Sequence, residues 1–319
     1  MSATSTSVRT RRFADRAFLG LTGAAGVLVA VLIVAIGTFL VIQAVPALRA
    51  DTTNFFTTKT WNPDQSPVAF GIAALVFGTI VLSGLALLMA GPIAIGIALY
   101  ISEYAPRRLA RPLGYTVDLL AAVPSVVYGL WGLNFLVPYS SKLQQFLADH
   151  VGWIPLFNLG RSGAVGRSVF LASVVLALMI LPIIAAISRE VFLQVPQANK
   201  EAALALGSTK LEMIRYSVLP HSRSGVTGAL MLGLGRALGE TIAVALVLSL
   251  SYRTSLHILD ANTGGNTIAA NIANQYQGAE PTGQKALIAS GLVLFVITFG
   301  VNALARLVVS RGGNRTAAA

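Results

Sequence analysis

The two groups in this sequence best able to do chemistry are Arg236 and Glu240, four residues apart in an otherwise apolar run. On a continuous helix that spacing puts both on one face. A guanidinium offers planar, paired donors that match the oxygens of a tetrahedral oxyanion, and a neighbouring carboxylate can hold it between substrates or tune its availability. An arginine facing lipid near the bilayer centre costs about 2.5–3.5 kcal/mol. The pair is therefore expected to face a protein interior or a water-filled path. On the residues alone two readings stay open: a structural ion pair that fixes helix packing, and the wall of an anion path.

The other candidates carry less. His150, His221 and His257 fall in separate segments without ligand spacing, and cysteine is absent, which excludes disulfides, thiolate chemistry and cysteine-ligated metals. Gly233-x-Gly235 is no nucleotide fingerprint, because no strand is expected before it. Gly235 and Gly239 form a small-xxx-small face suited to close helix packing, within or between subunits. Asp118, near the end of an apolar run, reads as a packing or interface residue.

These residues need a membrane bundle to hold them. Of 319 residues, 55% are hydrophobic and 11% charged, with a mean hydropathy of +0.73. A soluble domain carries roughly 25% charged residues, so lipid must cover much of this surface. Helices are predicted at about 18–45, 68–101, 113–138, 168–188, 224–250 and 286–308, each long enough to cross roughly 30 Å of hydrocarbon. The second must tilt, kink near Gly91-Pro92 or extend past the bilayer. Pro124 and Pro182 fall inside the third and fourth. The first span reads as a retained anchor rather than a cleaved signal.

The net charge of +11 is a topology signal. Fifteen cations lie on one side, among them Arg9, Arg11, Arg12, Arg16, Arg107, Arg108, Arg111, Arg189, Lys200, Lys210, Arg215, Arg223, Arg306, Arg311 and Arg315. Seven lie on the other: Arg49, Lys59, Lys142, Arg161, Arg167, Arg253 and Lys285. Positive loops stay inside. The expected organisation is an all-α, six-helix polytopic bundle with both termini cytoplasmic: a tail at 1–17, a membrane domain at 18–308 and a tail at 309–319.

The longest internal loop, 189–223, is also the most polar. Pro196 suits a helix start, Asn199 to Leu206 are good helix formers, and Gly207 stands where a left-handed cap belongs. A second stretch runs to Leu219-Pro220, with Leu211, Met213, Ile214 and Val218 set against Lys210, Glu212 and Arg215. On periodicity alone this is an amphipathic loop on the membrane surface.

Glu201-Ala202-Ala203, then Gly207, then Leu219-Pro220 resembles the EAA loop of ABC-importer permeases, with Ser217 where that family usually has an apolar residue. Further stretches resemble the phosphate-specific branch and its PstC-type subunit rather than the PstA type. They are Tyr100 to Pro106, Leu120 to Gly132 (with Pro124-Ser125 and Tyr128-Gly129), Gly233 to Thr241, and more weakly Ile272 to Asn274. The resemblance covers about 70–305. It implies a type I importer permease fold in a bacterial plasma membrane, with a short helix docking into a cytoplasmic ATPase through Glu201, Ala202, Ala203, Gly207, Leu219 and Pro220. It also implies a PstA-like second permease, two PstB-like ATPases and an external PstS-like phosphate-binding protein. ATP and magnesium would be used by the ATPases, and this chain would bind no cofactor and catalyse no reaction. Substrate would meet Arg236 and Glu240. A permease for molybdate or sulfate would share the docking loop, whereas a gradient-driven secondary transporter would not need it. An intramembrane enzyme ranks lowest, since no histidine, cysteine or ligand cluster lies at membrane depth.

Overall fold

The computed structural model describes residues 5–159, 163–262 and 265–313, with side chains described over 18–159, 163–262 and 265–307. Arg161, Arg315 and the expected tail residues 1–4 and 314–319 lie outside the described residues, as do the side chains of Arg9, Arg11, Arg12, Arg16 and Arg311. Among the described residues four helical runs are long and apolar enough to cross a membrane: Phe18–Ala50, Ala73–Tyr104, Val169–Leu193 and Pro281–Leu307. A fifth candidate is a pair of helices bent by 88°. The chain is thus a multi-pass, mostly helical membrane protein.

In chain order the elements are α1 (Ser5–Ala50), β1 (Trp61–Asn62), β2 (Ala69–Phe70), α2 (Ala73–Leu99), α3 (Arg107–Ala121), α4 (Ser125–Trp131), α5 (Val137–Tyr139) and α6 (Ser141–Val151). Then come α7 (Val169–Leu193), α8 (Gln197–Ala205), α9 (Lys210–Met213), α10 (Leu219–Leu238), α11 (Ile242–Val247), α12 (Ile268–Gln275) and α13 (Pro281–Gly313). The only sheet among the described residues is the two-stranded β1–β2 pair, antiparallel with Trp61 opposite Phe70.

Two predicted spans are not continuous. The helix expected over 113–138 breaks before Pro124, where the backbone turns extended and α4 starts afresh. Proline disfavours helical geometry in the residue before it and offers no N–H. The helix expected over 224–250 ends at Leu238 and restarts at Ile242. By contrast, Pro46, Pro92 and Pro182 lie inside α1, α2 and α7 without ending them.

Three other prolines share one device. The π-turns Tyr100–Tyr104, Gly132–Leu136 and Ile214–Val218 each precede a proline by one residue: Pro106, Pro138 and Pro220. In each case the residue before the proline donates its N–H five residues back, Ala105 to Tyr100, Val137 to Gly132 and Leu219 to Ile214. A proline ring collides with the carbonyl four residues earlier. Before Pro138 and Pro220, where the helix runs on, the widened turn relieves that collision and keeps the amide paired; before Pro106 it closes the helix instead, since Ala105 turns extended.

The core is built on α2 and α7, with α10 packed on both. Ala86, Ala90, Ala94 and Ala98 recur every fourth residue along α2 and are fully buried, a small-residue seam that lets helices approach closely. At one end of the bundle Phe55, Trp61 and Phe70 form an aromatic cluster beneath the β-hairpin, against Ala44 and Ala47 of α1, Leu75 of α2 and Ala286 and Leu287 of α13. At the other end, Ala98, Phe192, Val195, Met213, Ile214 and Val218 close a second apolar cluster under α8.

The start of α13 is capped from outside its own segment. The Asp64 carboxylate accepts from the Gly283 N–H at 2.8 Å and the Glu280 N–H at 3.3 Å. This supplies an acceptor to donors that have none within the helix. Asp64→Ala should cost about 1 kcal/mol, read as a lowered midpoint of thermal unfolding in detergent. Asp64→Asn, which keeps an acceptor, should recover most of the loss.

Candidate functional site

Arg236 lies in the last turn of α10 on an exposed face. Beyond Leu238, the Gly239 N–H reaches the Gly235 carbonyl at 3.3 Å and the Glu240 N–H reaches Ala237 at 3.3 Å, and the helix closes there. Glu240 is 8% exposed, and its Oε1 accepts from the Ala243 N–H at 3.2 Å, inside the first turn of α11. The shared helix face expected for Arg236 and Glu240 is therefore not formed, and among the described residues no ion pair joins them. The reason is local. Glycine is a poor helix residue, and the unpaired amides of a new helix start are good partners for a carboxylate.

The helix that follows the break after α10 packs on the helix that follows the break after α3, α11 against α4. A Cβ built on Gly129 would stand 2.8 Å from Ala243 Cα, and one on Gly132 2.7 Å from Val175 Cγ2. Only glycine lets α4 settle this deeply against α11 and α7. Tyr128, beside Gly129, donates its hydroxyl to the Leu120 carbonyl at 3.0 Å across the 88° bend and is an electrostatic neighbour of Arg236. At its far end, α11 is held by Arg167, whose Nη2 donates to the Leu248 carbonyl at 3.0 Å.

Gly235 and Gly239 do not serve close packing within this chain. Gly235 has nothing within 4 Å of a built Cβ, and Gly239 meets only backbone of α10 itself. The close approach of α10 to α7 is made instead at Gly225 and Gly233, where a Cβ would lie 2.5 Å from Val191 Cγ1 and 2.6 Å from Ile184 Cδ1. The Gly235 and Arg236 surface thus stays open on the isolated chain.

The second constellation is the 189–223 segment. Helix α8 starts after Pro196, and Gly207 has φ +86°, the left-handed geometry that favours glycine. The Ser208 N–H reaches the Ala203 carbonyl at 3.2 Å and the Gly207 N–H reaches Leu204 at 3.0 Å, together a Schellman cap. Thr209 begins the next helix at once. Its hydroxyl accepts from the Glu212 N–H at 3.3 Å while the Glu212 carboxylate accepts from the Thr209 N–H at 2.8 Å. Those bonds hold the Glu212 carboxyl below its ordinary range. With a stop and a start separated by two residues, α8 is a rigid protrusion.

Its faces differ. Glu201, Ala202, Leu204 and Ala205 are exposed, and Leu206 is 88% exposed at the tip. Lys200 is turned the other way: its Nζ donates to Glu103 Oε1 at 2.6 Å and to the Phe192 carbonyl at 3.4 Å. The side chains of this pair are 10% and 6% exposed. Lys210 adds a cation–π contact, with Nζ 4.7 Å from the Tyr104 ring centre. From the end of α9 onward Met213, Ile214 and Val218 are buried as their apolar character predicts, while Leu211 within α9 stays exposed. Ser217 is half-buried, and the π-turn carries Val218 inward beside it. Leu219-Pro220 does not end the second stretch, because the π-turn absorbs Pro220 and the helix runs on through α10.

Asp118 lies 3.3 Å from Arg189, which also binds Glu190 at 2.6 Å. A Cβ on Gly114 would lie 2.3 Å from Arg189 Nη1, so that glycine leaves the guanidinium its place between α3 and α7. Of the groups not anticipated, the Thr209-x-x-Glu212 capping box was readable from its spacing. The Lys200–Glu103 pair spans 97 residues and had no local signal.

Residues 90–312 match the family described as the binding-protein-dependent transport system inner membrane component. The phosphate transport system permease protein PstC 2 of Mycobacterium tuberculosis is 47% identical over 304 residues, covering 94% of this chain and 93% of the relative. PstC of Xylella fastidiosa is 46% identical over 267 residues, 83% of this chain and 81% of that one. Among solved structures, a bacterial ABC transporter involved in import of the polysaccharide alginate superposes with a TM-score of 0.60 at 18% identity, covering 95% of this chain and 99% of the other. An inward-facing MetNI methionine ABC transporter gives 0.53 at 17% identity, covering 75% and 96%. By this family match and these relatives, the chain belongs to the binding-protein-dependent transport permeases, in the branch of the PstC phosphate transport permeases.

Proposed function

We propose that this chain forms, with a PstA-like second permease subunit, the membrane path of an ATP-driven importer of inorganic phosphate in a bacterial plasma membrane. The observation that carries the reading is near full-length identity of 47% to a phosphate transport permease, joined to a rigid, outward-facing α8 of the docking type. In this reading six spans leave both termini in the cytoplasm, with the bent α3–α4 pair and the broken α10–α11 pair each counted as one. Two PstB-like ATPases bind ATP and magnesium beneath α8, and a PstS-like binding protein delivers phosphate from outside.

Docking is assigned to Glu201, Ala202, Ala203, Gly207, Leu219 and Pro220. Glu201, Ala202 and Leu206 form the touching surface, Gly207 fixes the end of α8, and Leu219-Pro220 secures the base of α10. Arg236 is assigned to the anion path. An arginine left against hydrocarbon costs about 2.5–3.5 kcal/mol, so its open face belongs against the second subunit or water. A guanidinium free of carboxylate partners keeps its donors for an oxyanion. Glu240 contributes by holding the break that shapes this wall.

Arg236→Ala should abolish phosphate uptake by vesicles while the complex still assembles; normal uptake by that variant would sink the assignment. Glu201→Lys should cut co-purification of the ATPase subunits, measured by mass of the eluted complex. Full stoichiometry with intact transport would make the docking assignment wrong. Gly207→Ala puts a side chain into left-handed backbone, which costs about 1–2 kcal/mol. It should weaken docking less than Glu201→Lys. Phosphate uptake resisting excess molybdate and sulfate separates this importer from those for other oxyanions.

A further inference from the structure

The sequence ties α8 to α7 and, through α9, to α10, so a push on α8 reaches those two helices through the chain itself. Helix α2 is not its neighbour along the chain, and Ala98 near the end of α2 meets this segment in an apolar cluster against which Ala203 packs. There α2 ends directly behind α8, and the two are joined by the buried Lys200–Glu103 contact at 2.6 Å, with Lys210 over the Tyr104 ring beside it. Among the described residues Lys200 is the one buried lysine, on a helix whose neighbouring residues mostly face outward. Glu103 lies in the π-turn that ends α2, a few residues beyond the buried alanine seam of that helix.

We propose that Lys200 and Glu103 are positioning residues that make α8 and the end of α2 move as one body, so that ATPase motion reaches α2 as directly as it reaches α7 and α10. The inference rests on the ATP-coupled reading above. A charged hydrogen bond held out of water has no ready replacement partner when pulled, so it carries displacement where an apolar contact slides. A merely structural role would instead fix how much complex assembles without changing how the assembled complex works.

Two matched variants separate these. Glu103→Gln with Lys200→Met removes both charges, so neither is buried alone. Glu103→Lys with Lys200→Glu re-makes the pair reversed. Each is purified with its partner subunits, reconstituted in vesicles with the phosphate-binding protein, and read as phosphate carried per ATP hydrolysed, per assembled complex. The neutral pair should lower that ratio at least fivefold, and the reversed pair should return it to within about twofold of wild type. A neutral pair that keeps the wild-type ratio overturns the inference, even if less complex assembles. So does a reversed pair that assembles normally and stays as uncoupled as the neutral one. A wild-type complex that carries no phosphate on ATP overturns the proposed function and this inference with it.

Discussion

Backbone amides that lose a partner inside an apolar bundle have no water to turn to, and this chain carries proline and glycine where such losses occur. At five of these places a local substitute is present. The π-turns before Pro106, Pro138 and Pro220 re-route one N–H to the carbonyl five residues back. Where the helix does break, at Pro124 and at Gly239, a side chain supplies a missing partner: Tyr128 gives its hydroxyl to the Leu120 carbonyl, and Glu240 accepts from Ala243. The bundle is therefore irregular at defined points, and several of those points coincide with the candidate site: Arg236 and Glu240 lie at the break before α11, and the turn Ile214–Val218 follows α9.

That coincidence explains how much of the site was legible. Hydropathy located the apolar runs because they depend on composition alone. It did not distinguish Pro182, which α7 carries through, from Pro124, which ends a helix. The difference is tertiary: α4 turns away because Gly129 and Gly132 open a seat for it against α11 and α7, and no local pattern reports a seat. The same limit applies to Arg236 and Glu240. Their spacing fits one helix face only if Gly239 stays helical. The free amide at Ala243 gives Glu240 a closer partner than a guanidinium one turn back. The anion role proposed for Arg236 does not depend on that pairing, since a guanidinium without a carboxylate partner keeps its donors.

The α8 segment was far more legible, because its geometry is set by neighbours in sequence. Pro196, Gly207 and the Thr209–Glu212 box act over two to five residues, and each fixes a cap whose hydrogen bonds are short-range. What lay beyond the sequence was the orientation of the helix about its own axis. Glu201 and Lys200 are adjacent, and either could have faced inward. The partner that decides is Glu103, far away in sequence and close in space only after α2 and α7 have packed.

Once that pairing forms, the faces of α8 are no longer interchangeable. Removing one member of a buried ion pair typically costs about 3–5 kcal/mol, more than a cap or a surface contact contributes. Rotating α8 to bring Lys200 outward would leave Glu103 buried without its partner, so the bundle holds the orientation against forces of that size. The exposed face is then presented in one setting, with Leu206 at its tip and Glu201 and Ala202 beside it. The face that the proposed docking would use is thereby held in register with the end of α2, since turning α8 about its axis would part Lys200 from Glu103.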